Sequence, residues 1–459
     1  MHRYRSIARC LVGCATALAV TGCSLPSSRT NVDAAAQLVA TQTRAALEWR
    51  RDPEADQAAR RRAEALLEGG LTLDEAIGVA FLASPELQLS LEQLEISRAQ
   101  LVAAVTPPNP VAIIGTRKPG GDLAAFYPDR SVSIGVLQNV MALLNIADRS
   151  AIARHDLQRV RFETAQHATA HAAQVAQAWL EYSAAMQIQA LRQRSLAAAK
   201  AAFDTVVVRA ANGSVTSLQV AVERNSVFAV ESSAIRSELD VATARARLGG
   251  LLGVTGWHDD WRIEAVLPPL PASDPDLTAL ELQAMEQRLD LQAAAKTVDA
   301  RLRVLAMQRR FRWLNQLEIG VFRDRAIGGT DFTGPNAVVE LPLFDQRQAA
   351  LLGADSELRS GLRGLEAARM TARNEIRLHA AEMHTTRRLL EQFERDIKPN
   401  QQQIAAGLGS ADPGEPERLR LSMSMLSAEE DYTGLLRDYW RARSALALAA
   451  GDWAALRGL

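Results

Sequence analysis

The sequence predicts a mainly α protein with a small β part, arranged as two tandem repeats. Three observations lead there. The 459 residues are 48% hydrophobic but only 5% aromatic, and Ala, Leu, Gln and Arg recur throughout, a composition that favours helix. The text of the chain repeats with an offset of about 200 residues, far longer than a solenoid unit. Each copy holds a pair of short alternating runs between much longer stretches of helical spacing.

The N-terminus reads as a secretory signal. Arg3, Arg5 and Arg9 form a positive region, and Cys10 to Val20 is an apolar run too short to span a bilayer. Val20-Thr21-Gly22-Cys23 then resembles the lipobox that lipoprotein signal peptidase cuts before its cysteine. The small Thr21 and Gly22 let the chain enter a peptidase cleft, and the Cys23 thiol is the nucleophile that takes up a diacylglycerol group, with palmitate an expected acyl chain. An ordinary signal peptide with an incidental cysteine is the plainer reading. Cleavage would remove three arginines from a net charge of −1, leaving −4. Ser24 follows Cys23; the absence of Asp there favours the outer membrane. Cys10, Cys14 and Cys23 are the only cysteines, so the folded body has neither a disulfide framework nor a cysteine metal site.

Residues 1–22 are thus the expected signal peptide and 23–70 a linker with one polar helix. The first repeat occupies 71–265, a Pro-rich connector 266–276, and the second repeat 277–459. Ser84 to Ala104 in the first copy matches Gln287 to Met307 in the second, each a helix with Leu and Ala at helical spacing. Each runs into an extended stretch, a Gly-rich turn (Gly120-Gly121 or Gly328-Gly329) and a second extended run, Ser131 to Leu137 or Ala337 to Leu343. Two long helices follow, and the copies end alike at Gly253 and Gly451.

The long helices carry a coiled-coil seam. In the second copy it runs Leu358, Leu362, Leu365, Arg369, Ala372, Ile376, His379, Met383, Thr386, Leu390, Phe393 and Ile397. In the first it runs Ala165, Ala168, Ala172, Val175, Trp179, Tyr182 and Met186. Small seam residues allow close packing, and a helix of about 60 residues reaches roughly 90 Å. The body is a wall or rod.

The strands alternate. Val132, Ile134 and Val136 oppose Ser131, Ser133 and Gly135; Leu317, Ile319 and Val321 oppose Gln316, Glu318 and Gly320. A membrane barrel strand needs one apolar and one polar face, and an amphipathic sheet lying on a soluble core needs the same. Four strands cannot close a membrane barrel, and open edges cannot sit in lipid. If the sheet is membrane-borne, the barrel is shared: two chains give eight strands, three give twelve, and the wider one leaves a useful lumen.

Several function classes are excluded or disfavoured. No basic block suggests nucleic acid, and no P-loop, nucleophile elbow or dinucleotide fingerprint is present, so no catalytic residue and no cofactor are expected. His167 and His171 stand four apart on a helix but lack a third ligand, which favours a structural role over a metal. Met423 and Met425 do not share a helix face, so packing is expected there.

Leu71 to Ser90, "LTLDEAIGVAFLASPELQLS", closely resembles the opening motif of the outer-membrane efflux factors, the TolC-like family. Gly334 to Gln348, "GPNAVVELPLFDQRQ", is similar to that family's second-repeat strand running through Leu341, Pro342, Leu343, Phe344 and Asp345 into a long helix. Val206 to Val227 resembles the helix–turn–helix at the periplasmic tip, with Gly213 at the turn. The acylated N-terminus is similar to the lipoprotein branch.

The resemblance implies a homotrimer, with a 12-stranded barrel in outer-membrane lipid above a long α-helical barrel crossing the periplasm. It implies a passive duct that works with a periplasmic adaptor (membrane fusion) protein and an inner-membrane pump. The alternative from another class is a non-conducting periplasmic coiled-coil lipoprotein acting as scaffold or adaptor. The second tip departs from the pattern: Pro413 and Pro416 lie between Ile404 and Ser422, predicting a longer, irregular turn. Asp412, Glu415 and Glu417 cluster there. Threefold symmetry would ring the mouth with nine carboxylates that attract cations; a solvated acidic loop is the plainer reading.

Overall fold

The computed structural model describes residues 27–43, 45–118, 131–325, 330–410 and 415–452. Two helices precede the first repeat, α1 (Ser28–Thr43) and α2 (Pro53–Leu67), where the sequence predicts a linker and one polar helix. The first, α1, carries few charges and buries Val32, Ala35 and Val39.

The first repeat opens with β1 (Gly70–Leu71) and α3 (Leu73–Ala83). A reciprocal cap starts α3: Thr72 Oγ1 accepts from the Glu75 N–H at 3.3 Å, and Glu75 Oε2 accepts from the Thr72 N–H at 2.9 Å, satisfying two orphan donors. Then follow α4 (Pro85–Val105), β2 (Val111–Arg117), β3 (Ser131–Asn139), the short α5 (Val140–Leu144), α6 (Ile146–Ala211) and α7 (Ser217–Leu252). The junction between β3 and α6, expected to be the longer of the two, is in fact shorter (140–145 against 340–347) because it folds into α5, which Asn139 caps by accepting from the Ala142 N–H at 2.8 Å.

The second repeat follows β4 (Arg262–Ile263) and the connector. Its elements are α8 (Leu277–Gln287), α9 (Leu289–Arg310), β5 (Leu317–Arg325), β6 (Asp331–Val339), α10 (Gln348–Gln392), a π-turn (Phe393–Ile397), α11 (Lys398–Ser410) and α12 (Glu415–Ala450). The element order therefore repeats: two helices, a hairpin and a long helical pair. The 66 residues of α6 reach roughly 100 Å at 1.5 Å each.

The helices form a layer in which α6 packs on α7 on one side and α12 on the other, with α10 beyond α12. Its core is the predicted first seam: Ala165, Ala168, Ala172, Val175, Trp179 and Tyr182 are all buried, against Leu87, Leu91 and Leu94 of α4. The second seam is buried at Ala372, Ile376, Met383 and Leu390 but not throughout. Leu362 and Arg369 are exposed, and Ile397 is 39% exposed beyond the point where the α-ladder widens into the π-turn. Pro399 follows two residues after Ile397; it has no N–H for the carbonyl four residues back, and a π-turn is one way a helix absorbs that defect.

Each half pins its lead-in segment with a tryptophan. Trp179 Nε1 donates to the Leu71 carbonyl at 3.2 Å, and Trp440 Nε1 donates to the Pro268 carbonyl of the connector at 2.9 Å. The connector is further held at Asp274, whose Oδ1 accepts from the Tyr439 hydroxyl at 2.8 Å and lies 2.9 Å from Arg387 Nε.

Candidate functional site

Two surfaces could carry function: the four-stranded sheet at one end and the long helical wall below it. The hairpins pair side by side, all antiparallel, in the order β2-β3-β5-β6. Alternation puts Ala112, Ile114, Ile134, Val136, Ile319, Val321, Ala337 and Val339 on one face by their registered pairing, with Arg323, Arg325 and Asp331 on the same face at the end away from the helices.

That face is exposed. Ile114 is 74% accessible, and Ile134, Val136, Ile319 and Val321 are all exposed. The small polar residues are the buried ones: Ser133 is 6% accessible, and Ser131 and Gly135 are buried with it. The sheet is thus inside-out relative to one lying on a soluble core. Its apolar face covers nothing among the described residues, so within them the sheet lies on no core.

On the other face, glycines of the two central strands lie opposite large side chains. Ile134-Gly135-Val136 of β3 and Ile319-Gly320-Val321 of β5 are the same triplet, and each glycine lies opposite a large residue of the neighbouring strand: Gly135 opposite Phe322, Gly320 opposite Leu137. A Cβ on Gly135 would come 2.6 Å from Phe322 Cδ2, and one on Gly320 would come 2.7 Å from Leu137 Cδ2. Ser133 Oγ donates to Asp324 Oδ1 at 3.2 Å. The signal that finds this pair is the repeated Ile-Gly-Val, on the second strand of the first hairpin and the first strand of the second, the two strands that pair with each other.

The sheet is also incomplete. The outer edges of β2 and β6 have no strand partner among the described residues. The helical wall matches it: its flanking helix α7 exposes Leu218, Val222, Phe228, Ile235 and Leu239, and α10 exposes Leu352, Leu362, Met370 and Leu378. Unpaired edges and apolar flanks at both margins are what repetition of the chain around an axis would cover.

Within the chain the two coil pairs are tied by ions. Arg192 of α6 donates through Nε to Glu430 of α12 at 2.8 Å and lies 3.8 Å from Asp240 of α7; Arg420 of α12 lies 3.5 Å from Glu223 of α7.

The residues singled out from sequence are placed as follows. Gly213 turns between α6 and α7 in the left-handed region, at φ 71, with open space around it. Thr216 and Gln219 then cap α7 reciprocally. Leu341 and Leu343 are exposed, Phe344 is 92% accessible, and Asp345 Oδ1 accepts from the Arg347 N–H at 2.8 Å. Arg347 itself is left-handed at φ 58, a strained entry to α10 that no residue type announces. Its guanidinium holds the turn through Asn315 Oδ1 at 2.7 Å.

Val20, Thr21, Gly22, Cys23 and Asp412 lie outside the described residues, as do the Gly-rich hairpin turns. Glu415 begins α12, and Glu417 is exposed two residues on. Pro416 sits in the first turn of α12, where its missing N–H costs nothing; it starts a helix where the sequence predicts a break. His167 is exposed, whereas His171 is buried, Nε2 lying 2.9 Å from the Leu251 carbonyl. Burial pulls its pKa down, as for a neutral structural imidazole. Among the described residues no cluster could hold a metal ion, and no helix is long and apolar enough to cross a membrane.

No protein-family model matches the sequence, and no curated protein sequence matches it. Solved structures do. A membrane protein from Pseudomonas aeruginosa is similar with a TM-score of 0.66 at 19% identity, over 82% of this chain and 92% of that one. The outer-membrane channel OprN is similar with a TM-score of 0.66 at 16% identity, over 83% and 90%. The outer membrane protein VceC of Vibrio cholerae is similar with a TM-score of 0.65 at 16% identity, over 83% and 96%. The fold of this chain is that of the TolC-like outer-membrane efflux channels.

Proposed function

We propose that this chain is one protomer of a trimeric outer-membrane duct, the exit component of a tripartite efflux or export system. The observation that carries the reading is the inverted sheet. Its apolar face is exposed, its small polar face is covered, and both of its edges are open. Lipid satisfies the first condition and neighbouring copies the third, while the second is met by inward side chains such as Phe322 and Leu137 that close over the small residues. Three copies give twelve strands above a helical barrel whose seams are the exposed flanks of α7 and α10. The solved structures with this fold include proteins described as outer-membrane channels, which supports the same reading. A scaffold or adaptor would have no use for an inverted sheet in each chain.

The N-terminal segment fits an anchor on Cys23. Arg161 of α6 donates to Asn31 near the start of α1. Arg161 stands 15 residues along α6 from Ile146, roughly 22 Å from the sheet junction. The residues from Cys23 to Ser28 span about 17 Å if extended. Directed toward the sheet, that reach and the roughly 5 Å of α1 from Ser28 to Asn31 together would bring a lipid on Cys23 to the level of the sheet's periplasmic rim. The helix–turn–helix at Gly213 and the acidic second tip face the opposite way, toward a periplasmic adaptor and the inner-membrane pump. Residues 71–265 and 277–459 are the two repeats that build both barrels, joined by the 266–276 connector.

Replacing the lipoprotein signal by an ordinary one, with Cys23→Ser, tests the barrel against the anchor. The trimer is expected to remain in the outer-membrane fraction after alkaline carbonate extraction. Complete release into the soluble fraction would mean the lipid alone holds the protein, and the barrel assignment would fall.

A further inference from the structure

The apolar face of the sheet does not stop where the strands stop. Past Val339 the chain presents Leu341 and Leu343, each 71% accessible, and then Phe344. On the other side of the hairpin base, Trp313 is 60% accessible just before β5. Polar contacts bring the two segments together: Arg347 Nε donates to Asn315 Oδ1, Arg312 Nη2 reaches Gln346 Oε1 at 3.4 Å, and the Glu340 N–H donates to the Gln316 carbonyl at 3.3 Å. Trp313 and the Leu341–Phe344 turn therefore form one surface, continuous with the exposed face of β5 and β6.

This surface also carries guanidinium groups with no carboxylate partner among the described residues, beside the carboxylates of Glu340 and Asp345 in the same turn. The Arg312 guanidinium lies 4.9 Å from the centre of the Trp313 ring and reaches the neutral amide of Gln346, and its buried Nε has no acceptor among the described residues. Arg309, one turn earlier on α9, is exposed. Among the described residues no carboxylate pairs with either, whereas their neighbour Arg310 is paired with Asp148 at 2.7 Å. A cation held against an aromatic ring at the margin of an apolar face is the chemistry that takes a phosphate above an acyl chain.

We propose that this junction seats an anionic phospholipid of the periplasmic leaflet. Trp313, Leu343 and Phe344 enter the acyl region, and Arg312 with Arg309 takes the headgroup phosphate. The proposal rests on the duct reading, since it needs the sheet in a membrane. Continuity with the sheet's apolar face and two guanidinium groups left without a carboxylate partner among the described residues, set beside exposed Trp313, select a lipid as occupant over a second copy of the chain.

The test is tryptophan quenching in the full-length trimer, reconstituted into vesicles whose phospholipid is brominated on the acyl chain near the headgroup. One vesicle set is phosphatidylglycerol-rich, the other phosphatidylcholine only. Wild type is expected to be quenched, and Trp313→Phe to lose most of the quenchable component. Arg309→Gln with Arg312→Gln should reduce the excess quenching in phosphatidylglycerol over phosphatidylcholine severalfold, with Trp313 still quenched. Equal quenching of wild type and Trp313→Phe would overturn the proposal. So would an unquenched Trp313 in a trimer that Phe344→Glu dissociates to monomers, since the surface would then belong to a second copy. Channel conductance, measured on the same vesicles, separates the two readings: a conducting trimer with an unquenched Trp313 removes the lipid seat and leaves the duct standing.

Discussion

At the residue scale, single groups hold the helices to the lead-in segments. Gly253 ends α7 at φ 73, and a Cβ there would sit 2.8 Å from the Ala83 carbonyl oxygen. Gly253→Ala is therefore expected to destabilise the fold by about 1–3 kcal/mol, read as a lower denaturant midpoint of the helical signal; an unchanged midpoint would mean the α7 terminus relaxes freely. Tyr432 of α12 is half-buried, and its hydroxyl donates to Glu394 Oε1 at 3.0 Å. Burial first, and then that carboxylate, push its pKa up from 10.0 to about 12. The folded pKa is raised, so the contribution to stability is complete below pH 10 and is lost as the unfolded chain ionises between pH 10 and about 12. Tyr432→Phe should flatten the loss of helical signal across that window relative to wild type. At the second tip, neutralising Asp412, Glu415 and Glu417 together is expected to lower the cation-to-anion permeability ratio of the channel. An unchanged ratio would make them a solvated loop.

At the scale of elements, the two faces of the sheet should respond differently to one charge. Val136→Arg places a guanidinium on the exposed apolar face, where lipid would charge about 2–4 kcal/mol for it near the bilayer centre. Outer-membrane insertion should fall. Asn336→Arg, on the half-buried opposite face, should leave insertion intact and change conductance. Equal effects on insertion would mean that no lipid lies on the first face. These elements were differently legible. The alternation of Val132, Ile134 and Val136 against Ser131, Ser133 and Gly135 is plain in the sequence, because a strand has a period of two. Which face is covered is not, because a lipid-facing and a core-facing strand share one pattern. The first coiled seam was readable because Ala and large residues recur along one face of an unbroken helix. The second was readable only as far as Phe393, since hydrophobic spacing continues to Ile397 while the ladder has already changed to a π-turn ahead of Pro399. The left-handed Arg347 left no trace, as its conformation is imposed by the turn around Asn315 and Asp345.

At the scale of the whole molecule, the chain needs other copies to close its sheet and cover its wall. Four strands, two open edges and two apolar flanks all run out at the same margins, so sheet and wall should assemble in a single step and neither should be stable in isolation. The repeat that makes this visible was legible from matching text alone: the same helix, hairpin and helical pair occur twice, and both copies end in a left-handed glycine, Gly253 and Gly451. The surface at Trp313 and Phe344 was not, because an exposed aromatic in a sequence looks the same as a buried one. The most direct measurement of the central claim is conductance of the purified trimer in a planar lipid bilayer. Stable, discrete single-channel steps, lost in Val136→Arg and altered in size by Asn336→Arg, are the expected result. A protein that remains monomeric and never conducts would contradict the duct.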